Sequence, residues 1–526
     1  MIRINEVCVP VVFVDNFEEH KKIISAQLKI NSSEIKNIKI LKRSIDARNK
    51  KNIHFKFNFS ILLNEKTETE IINKGLAFKY VEAPKLSVPK IDKQLKTLVV
   101  GAGPSGLFSA LTLARAGVKV ILIEQGEPVE KRVETVNKLI KNGEFNPFSN
   151  IQFGEGGAGT FSDGKLNTGI NSPLVDEVLN EFVLCGAPKE ILYDSKPHIG
   201  TDKLRKVVVN LREKIKAFGG EVYFSAKFLD YEERNNKKCA RVIIDNKEEI
   251  FEVDNIVFAL GYSARDTLRH LYSKGLEFKQ KAFSVGYRIE HLQEDINKAQ
   301  YGEFSSSKFL PPADYKLFTH LSNGRTVYTF CMCPGGVVVP AISKEKEIVT
   351  NGMSYYSRDG VNSNSAILVS VDERDYNSKH PLAGLDFQED LERRAFDIGK
   401  GKFICSRVED FLQNKPTKKL GNVVPTIKPE YNLGEVSKLL PKELTESIKE
   451  GIINFGKKLK GFDNPDAVLT GIETRSSAPF MIARDQNLQT NLNGVYAIGE
   501  GAGMAGGIVS SAVDGIKIAL KIIDGK

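Results

Sequence analysis

The sequence predicts an α/β protein: a Rossmann-like dinucleotide-binding domain, a β-rich α+β substrate domain inserted into it, and a small N-terminal α+β domain. Three observations carry this. A strand, glycine turn, helix, strand and acid follow one another from Thr97 to Glu124. A second apolar strand ends in glycine at Gly261, and a glycine-led segment returns at Gly499 near the C-terminus. Between the last two, short strands and turns replace the α/β alternation.

The first stretch reads TLVVGAGPSGLFSALTLARAGVKVILIE. Leu98–Val100 is a buried parallel strand by its apolar run. Gly101, Gly103 and Gly106 form G-x-G-x-x-G, with Pro104 and Ser105 inside the turn. The pattern predicts a helix from about Leu107 to Ala116, then a strand over Val118–Ile123 that ends on Glu124 and Gln125. Gly101 permits the tight turn, Gly103 lets backbone approach a pyrophosphate, and Gly106 lets helix and strand pack closely. The helix N-terminus offers unpaired N–H groups and its positive dipole end to phosphates. Glu124 stands about twenty residues on, where a carboxylate accepts from a ribose 2′-hydroxyl and repels a 2′-phosphate.

Residues 1–81 read as a small α+β unit in a ferredoxin-like order. Strands are expected over 2–14, 35–43, 54–63 and 79–81, with a helix over 17–28. Residues 82–96, EAPKLSVPKIDKQLK, carry two prolines and no apolar period, as a linker would. The dinucleotide-binding domain then spans 97–278 and closes over 462–526, with the inserted domain at 279–461.

After Glu124 a long loop is expected over 142–170. Its core, FGEGGAGTFSDGKLNTG, holds Gly154, Gly156, Gly157 and Gly159 within six residues, and Thr160 follows. Such spacing suits backbone running close to a flat or phosphorylated ligand. The apolar strand at NIVFALGYSARD ends on Gly261, a second place for backbone to meet a dinucleotide. In the inserted part, strands are expected over 284–290, 316–321, 326–331, 336–342 and 366–371, and helices over 388–398, 408–413 and 442–455. The terminal GVYAIGEGAGMAGGI leads into a helix over 508–523. It would set Glu500 against a sugar-alcohol chain and Gly506, Gly507 and Ile508 at a second helix N-terminus.

Composition is that of an ordinary soluble globular chain, and 526 residues allow two to four domains. No apolar run reaches a membrane-spanning length and the start lacks a signal-peptide pattern, so a cytoplasmic protein is expected. Six scattered cysteines (8, 185, 239, 331, 333, 405) form no CxxC pair, which fits a reducing compartment. Residues 1–96 carry a net charge of +8 of the chain's +9, with Lys42, Arg43, Arg48, Lys50 and Lys51 clustered. A solvated lysine-rich face is the expected reading, and nucleic acid the alternative partner.

Three sets of motifs together resemble a known group. The fingerprint ending on Glu124, the VFALG segment and GVYAIGEGAG are similar to the FAD-contacting motifs of glutathione-reductase-type (two-dinucleotide-binding-domain) flavoproteins. FGEGGAGTFSDGKL, PHIGTDKLR, GYSARD, CMCPGGVVVPA, MSYYSRDG and GEGAGMAGGI resemble, more narrowly, the bacterial uncharacterised FAD-dependent dehydrogenases. The resemblance covers about residues 95–526. It implies FAD, with Gly101, Gly103 and Gly106 at the pyrophosphate, Glu124 on the adenosine ribose and Glu500 on the ribityl chain, where most of the wider superfamily has Asp. Gly506, Gly507 and Ile508 would stand near the pyrimidine side of the flavin, where a helix N-terminus favours the negative charge of reduced flavin.

Flavin does its own redox chemistry, and the protein supplies position and electrostatics. Cys331-x-Cys333 could be a redox pair or a nucleophile. Arg358, after two tyrosines, is a candidate anion-binding or acid/base element, and Arg475 a candidate fork for a substrate carboxylate. His198 and His291 read as structural. With no second nucleotide fold visible, NAD(P)H would bind transiently as electron donor, or a substrate would donate hydride directly. The expected function is an FAD-dependent oxidoreductase, a dehydrogenase or reductase acting on a small, anionic substrate. The alternatives are an RNA-modifying flavoenzyme using the basic N-terminal domain and a non-enzymatic flavin sensor.

Overall fold

Leu98 and Val100 point to one hydrophobic cluster and Val99 to another, so the first strand of the fingerprint is buried on both faces. That period-two division is what a central parallel strand requires. The computed structural model describes residues 1–82, 84, 86–91 and 94–525. Four positions of the expected linker (83, 85, 92 and 93) and position 526 lie outside the described residues.

The N-terminal unit runs β1 (Ile2–Pro10), α1 (Phe17–Leu28), β2 (Asn37–Asp46), β3 (His54–Leu62), α2 (Glu65–Asn73) and β4 (Phe78–Lys79). The sheet order is β2-β3-β1-β4, antiparallel throughout, the split-βαβ arrangement of ferredoxin-like sandwiches. Asn16 and Asn64 cap the two helices by accepting from the Glu19 and Thr67 N–H groups. The basic cluster is largely engaged within the chain. Arg43 forks onto Asp194 at 2.6 and 3.0 Å, Arg48 pairs with Asp46, and Lys50 donates to the Ala299 carbonyl. The face suspected of binding nucleic acid is thus partly an internal interface.

Next come β5 (Lys96–Val100), α3 (Pro104–Ala116) and β6 (Lys119–Ile123). They sit in a five-stranded parallel sheet with Glu221–Tyr223 beside β6, and with Asn255–Phe258 and then Val495–Ala497 on the other side of β5. Among the described residues this is the one parallel sheet of that size. Helices α3, Leu174–Leu184, Thr201–Ala217 and Ile508–Asp524 cover one face. An antiparallel three-stranded sheet (Ala226–Arg234, Lys237–Ile244, Lys247–Val253) and Arg265–Ser273 cover the other. Leu107 and Leu111 are buried under this layer, each worth about 1.5–3 kcal/mol against exposure.

The remaining residues build a seven-stranded sheet, in the order Phe318–His320, Thr326–Cys333, Asn362–Val371, Phe283–Leu292, Val468–Glu473, Phe403–Arg407, Tyr431–Leu433. Ala383–Gly399 and Lys442–Lys458 pack on it. The boundary expected at 461 is therefore displaced. Val468–Glu473 is an inner strand of this sheet, and the chain rejoins the parallel sheet only at Val495. No helix among the described residues is long and apolar enough to cross a membrane.

His198 and His291 are structural. His198 stacks on Tyr356, and its Nε2 lies 3.2 Å from the Tyr356 carbonyl. His291 is buried between strands with Nε2 2.7 Å from the Phe462 carbonyl. Burial pushes the His291 imidazole down from 6.5 to about 4. A depressed histidine costs stability as pH falls, because the unfolded chain takes up a proton below 6.5 that the folded chain refuses until about 4. Removing it should relieve about 2 kcal/mol of acid destabilisation between pH 7 and pH 5. Urea unfolding of wild type and His291→Gln at both pH values measures this. The gap between the two proteins should move in the variant's favour on acidification, and a gap independent of pH would contradict the assignment.

Candidate functional site

One cavity of about 720 Å³ runs from the end of β5 to the edge of the seven-stranded sheet. Its first end is built by the glycine turn. Gly101 has φ +107°, and a Cβ there would meet the Ala259 carbonyl oxygen at 2.6 Å. Gly103, Pro104 and Ser105 line the cavity at the start of α3, facing Gly157 and Gly159 of the long loop. Gly106 does not line it. A Cβ at Gly106 would stand 1.9 Å from the Gly101 carbonyl oxygen, so this glycine serves close helix–strand packing and not phosphate contact.

Glu124 and Gln125 line the same end. The Glu124 carboxylate accepts three backbone N–H groups: Ala102 at 2.9 Å, and Gly126 and Gly154 at 3.0 Å. It ties the glycine turn to the long loop while facing the cavity, which leaves lone-pair capacity for a ribose hydroxyl. Part of the glycine-rich run has a different task from the expected ligand contact. A Cβ at Gly154 would fall 2.4 Å from the side chain of Arg132, which is fully buried. That guanidinium donates to the carbonyls of Asn150, Ile151, Gly154 and Glu155 and so holds the loop from inside. Burial lowers Arg132 to about 10. Gly156 packs on Thr160 and Val208. Thr160 itself is turned away from the cavity, with its hydroxyl on the Glu155 carbonyl.

Gly261 lines the wall near Glu500, whose carboxylate oxygen lies 4.0 Å from where a Gly261 Cβ would be. Burial pushes Glu500 up to about 7, opposed by the charge of Lys281. A carboxylate in such a place has hydroxyl donors as natural partners. Gly506, Gly507 and Ile508 line the cavity at the start of Ile508–Asp524. Gly499 lies beneath, where a Cβ would meet the Ser105 hydroxyl at 2.6 Å. Two helix N-termini, bare glycine backbone and two inward carboxylates thus suit a phosphate- and hydroxyl-rich dinucleotide.

The far end is chemically different. Lys165, Cys331, Asn351, Glu473 and Arg475 line it. Lys165 stands 3.0 Å from Asp163, which Arg358 grips with Nε at 2.9 Å. Asp163 and the nearby cysteines hold Lys165 above the usual lysine value, against its burial. Glu473 pairs with the fully buried Arg288 at 2.7 and 3.0 Å. Burial nevertheless pushes Glu473 up to about 7.

Two expected substrate-binding arginines are otherwise engaged. Arg358 does not line the cavity; it steadies Asp163 from behind. Arg475 lines it, but all five of its N–H groups are committed. Nε and Nη2 fork onto Glu392 at 3.0 and 2.6 Å, Nη1 reaches Ser343 and Ser263, and Nη2 also reaches Glu347. It cannot fork onto a substrate carboxylate without breaking that network. Lys165 is the cation the sequence reading missed. The SDGKL segment that holds it was visible, but nothing local marks it as lining the cavity. Cys331 lines the cavity and Cys333 does not.

The comparisons with known proteins agree on the cofactor. Residues 94–135 match a model described as an FAD binding domain, and residues 282–476 one described as FAD-dependent protein, C-terminal domain-like. Residues 1–61 match a domain of unknown function. The matched models are not described as glutathione-reductase type, and among the described residues one large parallel sheet is present and no second dinucleotide-binding domain of the kind that type has. An uncharacterized protein of Clostridium beijerinckii is 45% identical over 520 residues, covering 97% of this chain and 96% of that one. Among solved structures, a geranylgeranyl bacteriochlorophyll reductase-like protein of Thermoplasma acidophilum is 13% identical, with TM-score 0.36, covering 82% of this chain and 80% of that one. A flavoprotein/dehydrogenase of Cytophaga hutchinsonii is 12% identical, with TM-score 0.34 and coverage of 82% and 79%. Similarity this distant carries no activity across. FAD is the cofactor, and the chain belongs to the same family as the uncharacterized Clostridium beijerinckii protein.

Proposed function

We propose that the protein is an FAD-dependent oxidoreductase acting on a small, anionic substrate. The observation that carries this is the joining of two ends in one cavity: a dinucleotide cradle, and a charged chamber holding Lys165, Glu473 and Cys331. When bound, FAD supplies two-electron chemistry. Gly101, Gly103, Gly157 and the start of α3 would hold its pyrophosphate, Glu124 its adenosine ribose, and Glu500 its ribityl chain. The start of Ile508–Asp524 would favour negative charge at the neighbouring ring.

The chain's own groups divide the remaining work. Lys165, held by Asp163, contributes positive charge beside the chamber. Glu473, raised to about 7, is suited to take up or release a proton near neutral pH. Phe330, Ile170 and Phe153 add apolar surface to the cavity lining. The basic N-terminal domain, with Arg43 and Arg48 paired internally, gives the RNA-modifying alternative no support.

Anaerobic mixing of the yellow protein with NADH and with NADPH tests the reading. Rapid bleaching of the flavin by either identifies a nicotinamide-driven reductase. Bleaching by small organic anions but not by nicotinamides identifies a substrate dehydrogenase. A flavin reduced only by dithionite, and by neither a nicotinamide nor a panel of hydroxy and amino acids, would contradict the proposal.

A further inference from the structure

Cys331 lies at an irregularity in the strand Thr326–Cys333. Its register against Asn362–Val371 slips between Phe330 and Cys333, and Cys331 takes φ +44°, a left-handed conformation that non-glycine residues seldom adopt. Bulges of this kind re-aim a side chain, and such strained residues gather at functional sites. Here the bulge brings Cys331 to the cavity wall, while Cys333 stays fully buried behind it. The Cys333 thiol donates to the Cys331 carbonyl oxygen at 3.3 Å. Residues i and i+2 of a strand have Cα atoms about 6.4–6.8 Å apart, which reaches the upper limit of about 6.8 Å for a disulfide.

The charges around the pair come from three further elements. Lys165 and Asp163 face it from the long loop, Arg288 from Phe283–Leu292, and Glu473 from Val468–Glu473. Arg288 also donates to the Cys331 carbonyl at 2.9 Å. The neighbouring Cys333 thiol, then Lys165 and Arg288, hold the Cys331 thiol below the usual thiol value, against burial and the negative charge of Asp163. Its neighbour Cys331 and burial hold Cys333 above it. The half-buried member that lines the cavity is the one biased toward thiolate, and the fully buried member keeps its proton. Packing alone requires none of this asymmetry.

We propose that Cys331 and Cys333 form a redox-active dithiol whose substrate is a small disulfide entering the cavity. The Cys331 thiolate attacks one sulfur of R–S–S–R, forming a mixed disulfide and releasing RS⁻. Cys333 gives up its proton and attacks the Cys331 sulfur, closing the internal disulfide and releasing the second R–S group, which leaves as RSH once it takes that proton. Two electrons pass from the cysteine pair to the small disulfide. The inference goes beyond the flavin reading, since it uses only the protein's own sulfurs.

The test is mass analysis of the purified flavoprotein after anaerobic incubation with glutathione disulfide, followed by alkylation. The peptide containing both residues should lose two hydrogens while Cys8, Cys185, Cys239 and Cys405 stay free. Cys333→Ser should stop at a single glutathione adduct on Cys331. At pH 6, iodoacetamide should modify Cys331 at least about tenfold faster than the exposed Cys8. Two free thiols persisting in excess glutathione disulfide, a bridge to another cysteine, or equal alkylation rates would overturn the proposal. These readings come from the sulfurs alone, so a flavin that no nicotinamide or anion reduces fails the functional reading and leaves this one standing.

Discussion

Gly103→Val is expected to give a folded protein that has lost FAD. Gly103 has ordinary extended backbone, φ −72°, and the nearest atom to an added Cβ is the Gly157 Cα at 4.0 Å. The Cβ of a side chain there collides with nothing in the protein. It projects between the start of α3 and the glycine-rich loop, into the space where the pyrophosphate must lie against backbone N–H groups. Losing that approach should weaken FAD at least about 100-fold, the equivalent of about 3 kcal/mol. The apoprotein should keep its melting temperature. Gly106→Val is the contrast: its Cβ would stand 1.9 Å from the Gly101 carbonyl oxygen, so that variant should fail to fold. Equilibrium FAD binding and thermal melting of apoprotein separate the two, and a Gly103→Val protein that keeps full FAD affinity would move the cofactor elsewhere.

The second large effect is predicted at Glu392, on the helix Ala383–Gly399. Its carboxylate holds Arg265 at 2.8 and 2.9 Å and Arg475 at 2.6 and 3.0 Å, and also accepts from the Thr474 hydroxyl. Glu392, Arg265 and Arg475 are all buried. Glu392→Gln preserves the shape and removes the charge, leaving two guanidiniums in low dielectric with only Glu347 and Glu389 near Arg265 and Glu347 near Arg475. A broken buried pair of this kind costs about 3–5 kcal/mol. Denaturant unfolding should show that loss, and a Glu392→Met, Arg475→Met double variant should lose less than the sum of its single changes. A loss below about 1 kcal/mol in Glu392→Gln would contradict the view that this buried network stabilises the fold.

Reading the sequence succeeded where the physics is local. The turn at Gly101 to Gly106, the apolar strands on either side and Glu124 lie within 28 residues, and the structure builds them as α3 between β5 and β6. The helix expected at 17–28 and the strand starting at His54 follow from their own periodicity. What was missed is non-local. Arg475 reads as a free fork because its partners Glu347 and Glu392 lie 128 and 83 residues away. Val468–Glu473 is a six-residue strand after a polar turn, and only its pairing with Phe283–Leu292 shows which sheet owns it. A left-handed Cys331 has no signature in residue type. Arg132, which explains Gly154, sits in a helix the glycine-rich run does not touch in sequence.

The most direct measurement is the flavin content of the purified chain, released by denaturation and identified by chromatography, with uptake by apoprotein as its complement. The expected result is one FAD per chain, no FMN, and restoration of the same stoichiometry when FAD is added to wild-type apoprotein. A chain that carries no flavin as purified and takes up none would contradict it.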